Sequence, residues 1–178
     1  PAAFPITVDL GGAGAPENLA TVRADVVRAG RTTPLVAYVP DGDEELPLIL
    51  FTPGFQIESA AYANLCQSLA SQGYIVARLD PPGTIFDVNH IEMAADVRAA
   101  IDWAINDSEF ADRIDVDQVG TMGHSLGGKV ALMNAIEDPR VQAVFAIDPV
   151  DGDPSPFPNL ETRPDLAPGP IGDIQAPI

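Results

Sequence analysis

The chain has 178 residues, 46% of them apolar, and a formal net charge of −17, a size and composition that fit one globular domain with a sizeable core. A field of this sign repels polyanions, which argues against nucleic acid or an anionic membrane as partner, and no stretch is long and apolar enough to span a bilayer. One lysine stands against eight arginines and eighteen aspartates, a balance that reads as a soluble surface or, more sharply, as adaptation to high salt, where screening relieves self-repulsion.

The chain opens at Pro1 without methionine or a signal-like segment, as a processed or trimmed product would, and removal of a leader favours secretion or the periplasm. Residues to about Pro16 are rich in glycine and proline and read as extended. Alternating runs at Thr21–Val27 and Pro34–Val39 predict two strands, the second ended by Asp41-Gly42-Asp43. Leu46–Phe51 is nearly continuous apolar, as a strand covered on both faces should be. After the Pro53-Gly54 break, a helix over residues 59–71 carries Tyr62, Leu65, Cys66 and Leu69 on one face. The lone Cys66 permits no intrachain disulfide and reads as a small core residue. Tyr74–Leu79 is a second buried strand. Asp80-Pro81-Pro82-Gly83 makes a sharp loop before a helix at 91–106, with Ile91, Ala94, Val97, Ile101 and Ala104 facing inward. Val116–Met122 reads as a strand, Leu126–Ile136 as a helix, and Val141–Ile147 as a strand. Strands and helices alternating at this spacing predict an α/β fold with a mostly parallel sheet in a single domain over residues 1–178. From Pro149 the character changes: eight prolines fall in the last thirty residues, so 149–173 reads as an irregular excursion over the site. Ile174–Ile178 then reads as the approach to another strand.

The candidate chemistry centres on Gly123, Ser125 and Gly127, a G-x-S-x-G pattern between a predicted strand and a predicted helix. In that context Ser125 belongs on a nucleophile elbow, a turn so tight that side chains at Gly123 or Gly127 would collide with it or with the neighbouring strand. Acyl transfer also needs backbone N–H donors for the developing oxyanion. Leu126 follows the nucleophile, and Phe55 lies in the loop after the third strand, where the second donor is expected.

The segments Leu48-Ile49-Leu50-Phe51-Thr52-Pro53-Gly54-Phe55, Leu69-Ala70-Ser71-Gln72-Gly73-Tyr74-Ile75-Val76 and Gly123-His124-Ser125-Leu126-Gly127-Gly128 resemble the α/β-hydrolase group that holds chlorophyllases, platelet-activating-factor acetylhydrolases and cutinase-type polyester hydrolases. The likeness covers about residues 20–152. It implies the α/β-hydrolase fold, with helices on both faces of the sheet, and a carboxylic ester hydrolase that needs no metal or organic cofactor. Such an enzyme uses Ser125, an acid and a histidine, with oxyanion donors at Phe55 and Leu126. Its substrate would be a lipid-like, bulky or polymeric ester, with Phe55 and Phe157 as candidate walls of an apolar cleft.

Ala146-Ile147-Asp148-Pro149-Val150-Asp151-Gly152 looks like the chlorophyllase segment whose aspartate completes the triad, which favours Asp148 as the acid. Cutinase-type enzymes carry theirs one strand later, beyond Ile178 here. Asp148, Asp151 and Asp153 lack the spacing of a calcium loop and read as solvated turn residues. The histidine is absent: the chain has only His90 and His124, both before Ser125. His124 reads as local packing and His90 as a helix-capping or surface residue. The expectation is therefore a base on a C-terminal companion segment beyond Ile178, which would also supply the final strands and helix. The alternative is a hydrolase-fold module that binds a ligand or protein without catalysis.

Overall fold

The computed structural model describes residues 18–83, 88–151, 161–167 and 170–176. Among these, β1 (Leu19–Arg28) and β2 (Arg31–Pro40) form an antiparallel hairpin. Its two turn residues, Ala29 (φ 49°) and Gly30 (φ 77°), are both left-handed, which matches the turn to the twist of the strands it joins. β2 pairs with β4 (Ile75–Leu79), also antiparallel, and the remaining pairs β4 with β3 (Leu46–Thr52), β3 with β5 (Ile114–His124) and β5 with β6 (Val141–Ile147) are parallel. The order across the sheet is β1-β2-β4-β3-β5-β6.

Three helices make the parallel crossovers. The predicted 59–71 helix divides: Ser59–Tyr62 is a 3-10 turn and α1 begins at Ala63, running to Ala70. α1 covers one face of the sheet, where Cys66 and Ala70 meet Val36, Tyr38, Phe51, Val76 and Met122. On the other face lie α2 (His90–Asn106) and α3 (Leu126–Glu137), packed on the larger core. Every residue of α3 from Leu126 to Ala135 is buried, as expected of a helix apolar all round. Two expectations for α2 are corrected. Ile91 is 37% exposed, because the inward stripe runs His90, Met93, Ala94, Val97, Ala100, Ile101, Ala104 and Ile91 falls about 100° off it. His90 is buried, not at the surface, and the cap is Asn89, whose side chain accepts the Glu92 N–H at 3.0 Å.

An ion cluster ties the hairpin to α2. The buried Asp96 accepts from Arg28 (Nε 3.0 Å, Nη2 2.9 Å) and from Arg31 (Nε 2.9 Å, Nη2 2.7 Å). At the far end of the sheet β6 pairs only with β5 among the described residues, and its Phe145 is 59% exposed while Val144 beside it is buried. Of the proline-rich segment, the described part packs against α2 and the α3 face: Thr162 C=O accepts the His90 N–H (2.8 Å), Leu166 is buried, and Ile171 and Ile174 lean on the same core. The parallel strands all point their C-terminal ends to one edge, which collects the residues after β3, β4, β5 and β6.

Candidate active site

Ser125 stands between β5 and α3 with φ 53° and ψ −117°, a conformation a serine adopts only under constraint. The constraint is steric and comes from β3. A Cβ at Gly127 would lie 2.0 Å from the Thr52 carbonyl oxygen and 2.5 Å from that of Pro53; one at Gly123 would lie 2.3 Å from the Gly127 carbonyl group. Both glycines thus let the start of α3 press against the end of β3. The Lys129 N–H donates to the Ser125 carbonyl (3.2 Å), so the serine leads directly into the positive end of the helix.

After β3, Thr52, Pro53 and Gly54 are buried and Phe55, Gln56, Ile57 and Glu58 are exposed. Ile57 N–H closes a turn on Gly54 C=O (3.0 Å), with Gln56 at φ 58°. Two anchors hold this loop. Ser59 donates to Asp80 twice, through its N–H (2.6 Å) and its hydroxyl (2.7 Å), while buried Arg78 donates to the Ser59 hydroxyl (2.7 Å) and to the Tyr38 hydroxyl (3.1 Å). On the other side Tyr62 Oη and His124 Nδ1 are 2.7 Å apart, and a Cβ at Gly54 would fall 2.9 Å from the same nitrogen. His124 is thereby packed under the loop.

Asp148 follows β6 with φ 44° and is exposed. Its turn closes on the serine: Ser125 N–H donates to Ile147 C=O (2.9 Å) and Val150 N–H donates to Ser125 C=O (3.3 Å). The fully buried Lys129 donates its Nζ to Asp151 C=O, and the Asp151 carboxylate accepts Leu166 N–H (2.5 Å) and Ala167 N–H (3.1 Å). Among the described residues, three of the four non-glycine residues at positive φ, namely Gln56, Ser125 and Asp148, lie at this one edge, where strain marks a candidate functional site.

A cleft of about 410 Å³ opens beside the loop, lined by Pro53–Glu58, Asp80, Pro81, Gly83, Val88 and Met93. Phe55 borders it; Phe157 and Asp153 lie outside the described residues. Among the described residues no group of three histidines, cysteines or carboxylates could hold a metal, and no helix is long and apolar enough to cross a membrane. Burial pushes the Cys66 thiol up to about 12, so it stays protonated and inert at neutral pH.

Sequence reading missed the Asp80–Ser59–Arg78 clamp, the left-handed Gln56 and Asp148, and the role of Lys129. The available signals were few: a lone lysine in an acidic chain, and an arginine inside a run that otherwise reads as a buried strand.

The chain matches the family model described as PETase, PET hydrolase-like, over residues 13–177. It is 34% identical over 130 residues to the bis(hydroxyethyl) terephthalate hydrolase of Streptomyces coelicolor, covering 73% of this chain and 41% of that protein. It is 31% identical over 114 residues to cutinase 2 of Thermobifida cellulosilytica, covering 63% and 43%. The chain therefore spans about two fifths of the curated relatives it matches. Its fold is similar to that of the carboxylesterase EstE1 from a metagenomic library (TM-score 0.69, 21% identity, 79% of this chain and 50% of that one). It is likewise similar to an esterase of Pyrobaculum calidifontis (TM-score 0.66, 19% identity, 78% and 48%).

Proposed function

The chain belongs to the PET hydrolase-like family of the α/β-hydrolase superfamily, and from that premise we propose that it supplies the nucleophile, the oxyanion donors and the acid of a carboxylic ester hydrolase. The observation that carries the reading is Ser125 held at φ 53° by two glycines pressed against β3. Ser125 Oγ attacks the ester carbonyl, the N–H groups of Phe55 and Leu126 hold the oxyanion, the alcohol leaves with the proton taken from the serine, and water then cleaves the acyl-enzyme to release the acid. Asp148 orients the histidine that relays the proton. The substrate is a lipid-like, bulky or polymeric ester, in keeping with the terephthalate ester named for the Streptomyces relative.

The histidine comes from outside these 178 residues, on a further segment or a companion chain. His124 is committed to Tyr62, and His90 is buried at the start of α2. The edge of β6, which pairs with no second strand among the described residues, and the exposed Phe145 beside it offer a seat for another strand and its cover.

Imidazole added in solution tests this, because it substitutes for a missing histidine. A fluorophosphonate probe should label Ser125 slowly in the chain alone and faster with imidazole, read by intact mass, and not at all in Ser125→Ala. A folded chain that stays unlabelled even with imidazole is a binding module and not part of an enzyme. Fast labelling without imidazole would place the base within the chain.

A further inference from the structure

Lys129, the chain's one lysine, lies fully buried on the first turn of α3. Both the burial and the place are unfavourable for an ammonium group, which loses its water and sits at the helix end that disfavours a cation. Its contact explains the position: Nζ donates to the carbonyl of Asp151, three residues after Asp148.

The residues from Ser125 to Lys129 grip the whole turn 147–151. Ser125 N–H holds Ile147 C=O at 2.9 Å, Ser125 C=O takes Val150 N–H at 3.3 Å, and Lys129 closes the far end at Asp151. Between these tethers Gly128 makes room for Pro149, since a Cβ on the glycine would lie 3.2 Å from the Pro149 Cβ. Asp148 sits inside the grip, exposed and left-handed at φ 44°, a conformation that persists only when its surroundings hold it. Asp151 also joins the turn to the proline-rich segment, because its carboxylate accepts Leu166 N–H (2.5 Å) and Ala167 N–H (3.1 Å). Two of the tethers on the turn are backbone bonds that most sequences would keep. The third belongs to one side chain.

We propose that Lys129 is a positioning residue for the ester-cleaving site: through the Asp151 carbonyl, its ammonium fixes the turn that aims Asp148 at the histidine. The proposal rests on Ser125 as nucleophile and Asp148 as acid. A hydrogen bond from a charged donor is worth about tenfold or more in the population of the turn it holds, and a reacting group displaced by about 1 Å loses rate by a similar or larger factor.

The parent chain gives the first test. Its side-chain ammonium spectrum holds one lysine Nζ signal, which should show scalar coupling across the hydrogen bond to the Asp151 carbonyl carbon. Lys129→Met keeps the length of the side chain and drops the donor; Lys129→Leu serves in its place where the methionine variant does not fold. Hydrogen exchange at Ser125 and Val150 should then quicken about tenfold, while Leu50 and Val76 in the central strands stay within about threefold of the parent. Imidazole-dependent fluorophosphonate labelling of Ser125 should slow about tenfold. Asp148→Asn should slow it by a similar factor, and the double variant by no more than about threefold beyond the larger single effect, because both changes act through one carboxylate. An Nζ signal without coupling to Asp151, exchange at Ser125 and Val150 that merely follows Leu50 and Val76, or two effects that multiply would each overturn the proposal. Labelling that ignores Asp148→Asn removes the acid assignment instead, and the role of Lys129 with it, while the coupling and the local exchange stay as described.

Discussion

The backbone of Ser125 brackets Asp148: the serine N–H donates to the carbonyl of the residue before the aspartate at 2.9 Å, and the serine carbonyl accepts the Val150 N–H at 3.3 Å. Both residues are left-handed, at φ 53° and 44°, so two strained turns at the ends of β5 and β6 hold each other in place. Such strain persists only where surrounding structure over-determines it.

Removing the strain should therefore show as stability. Ser125→Gly is expected to raise the stability of the fold by about 1 kcal/mol in urea titrations, because glycine accepts this φ freely, while abolishing labelling at residue 125. Asp148→Asn should leave stability within about 0.5 kcal/mol, since asparagine tolerates the left-handed region, whereas Asp148→Val should cost about 1–3 kcal/mol. If Ser125→Gly leaves the urea midpoint where it was, the serine is not strained.

Gly127→Ala places a methyl 2.0 Å from a backbone oxygen of β3, whereas a Cβ at Gly172 meets nothing within 4 Å. The first substitution should cost at least about 3 kcal/mol or prevent folding, and the second should stay within about 0.5 kcal/mol. Thermal denaturation of both variants checks the pair, and equal effects would mean that the elbow does not press on β3.

How much of this was legible beforehand depends on whether the cause is local. The strand Val141–Ile147 follows from periodicity, and the glycines flanking Ser125 follow from a motif that is written within five residues although part of its steric cause lies on β3. The division of the 59–71 helix does not, because Ser59 answers to Asp80 and Arg78, some twenty residues later. Ile91 was misplaced because the buried position beside it is His90, a residue that hydrophobic spacing does not count. The left-handed Asp148 was invisible because the hydrogen bonds that hold its turn, at Ile147 and Val150, come from Ser125 just past the neighbouring strand.

Asp96 is 1% exposed and carries two guanidiniums that lie between hairpin and helix. Asp96→Ala removes the buried carboxylate that both share and leaves them only the more exposed Glu92, and should cost about 3 kcal/mol. The double replacement Arg28→Met with Arg31→Met in Asp96→Leu should recover most of it, as hydrophobic substitution of a buried ion cluster commonly does. Urea titration of the single and triple variants reads the difference, and a single variant as stable as the parent would reduce the cluster to a surface pair.

Asp138, buried between α3 and β6, has its carboxyl held below the ordinary range by the Arg140 guanidinium. Because the folded pKa lies below the unfolded one, the stability it contributes is present above about pH 4 and is lost as pH falls through the lower folded value. Asp138→Asn should be less stable than the parent by about 1–3 kcal/mol at pH 6, with the gap closing below pH 4. A gap that does not change between pH 6 and pH 3 would mean that the ion pair contributes nothing.

The burial of Lys129 has a practical consequence. As the chain's one lysine, lodged fully inside behind the elbow, it withholds the molecule's whole supply of ε-amine from reagents in solution. Acylation at that residue can happen only when α3 parts from the turn it supports. Its rate is therefore a built-in clock for the opening of the active-site floor, readable as the mass increment of the peptide that holds Lys129, apart from the α-amine at the N-terminus.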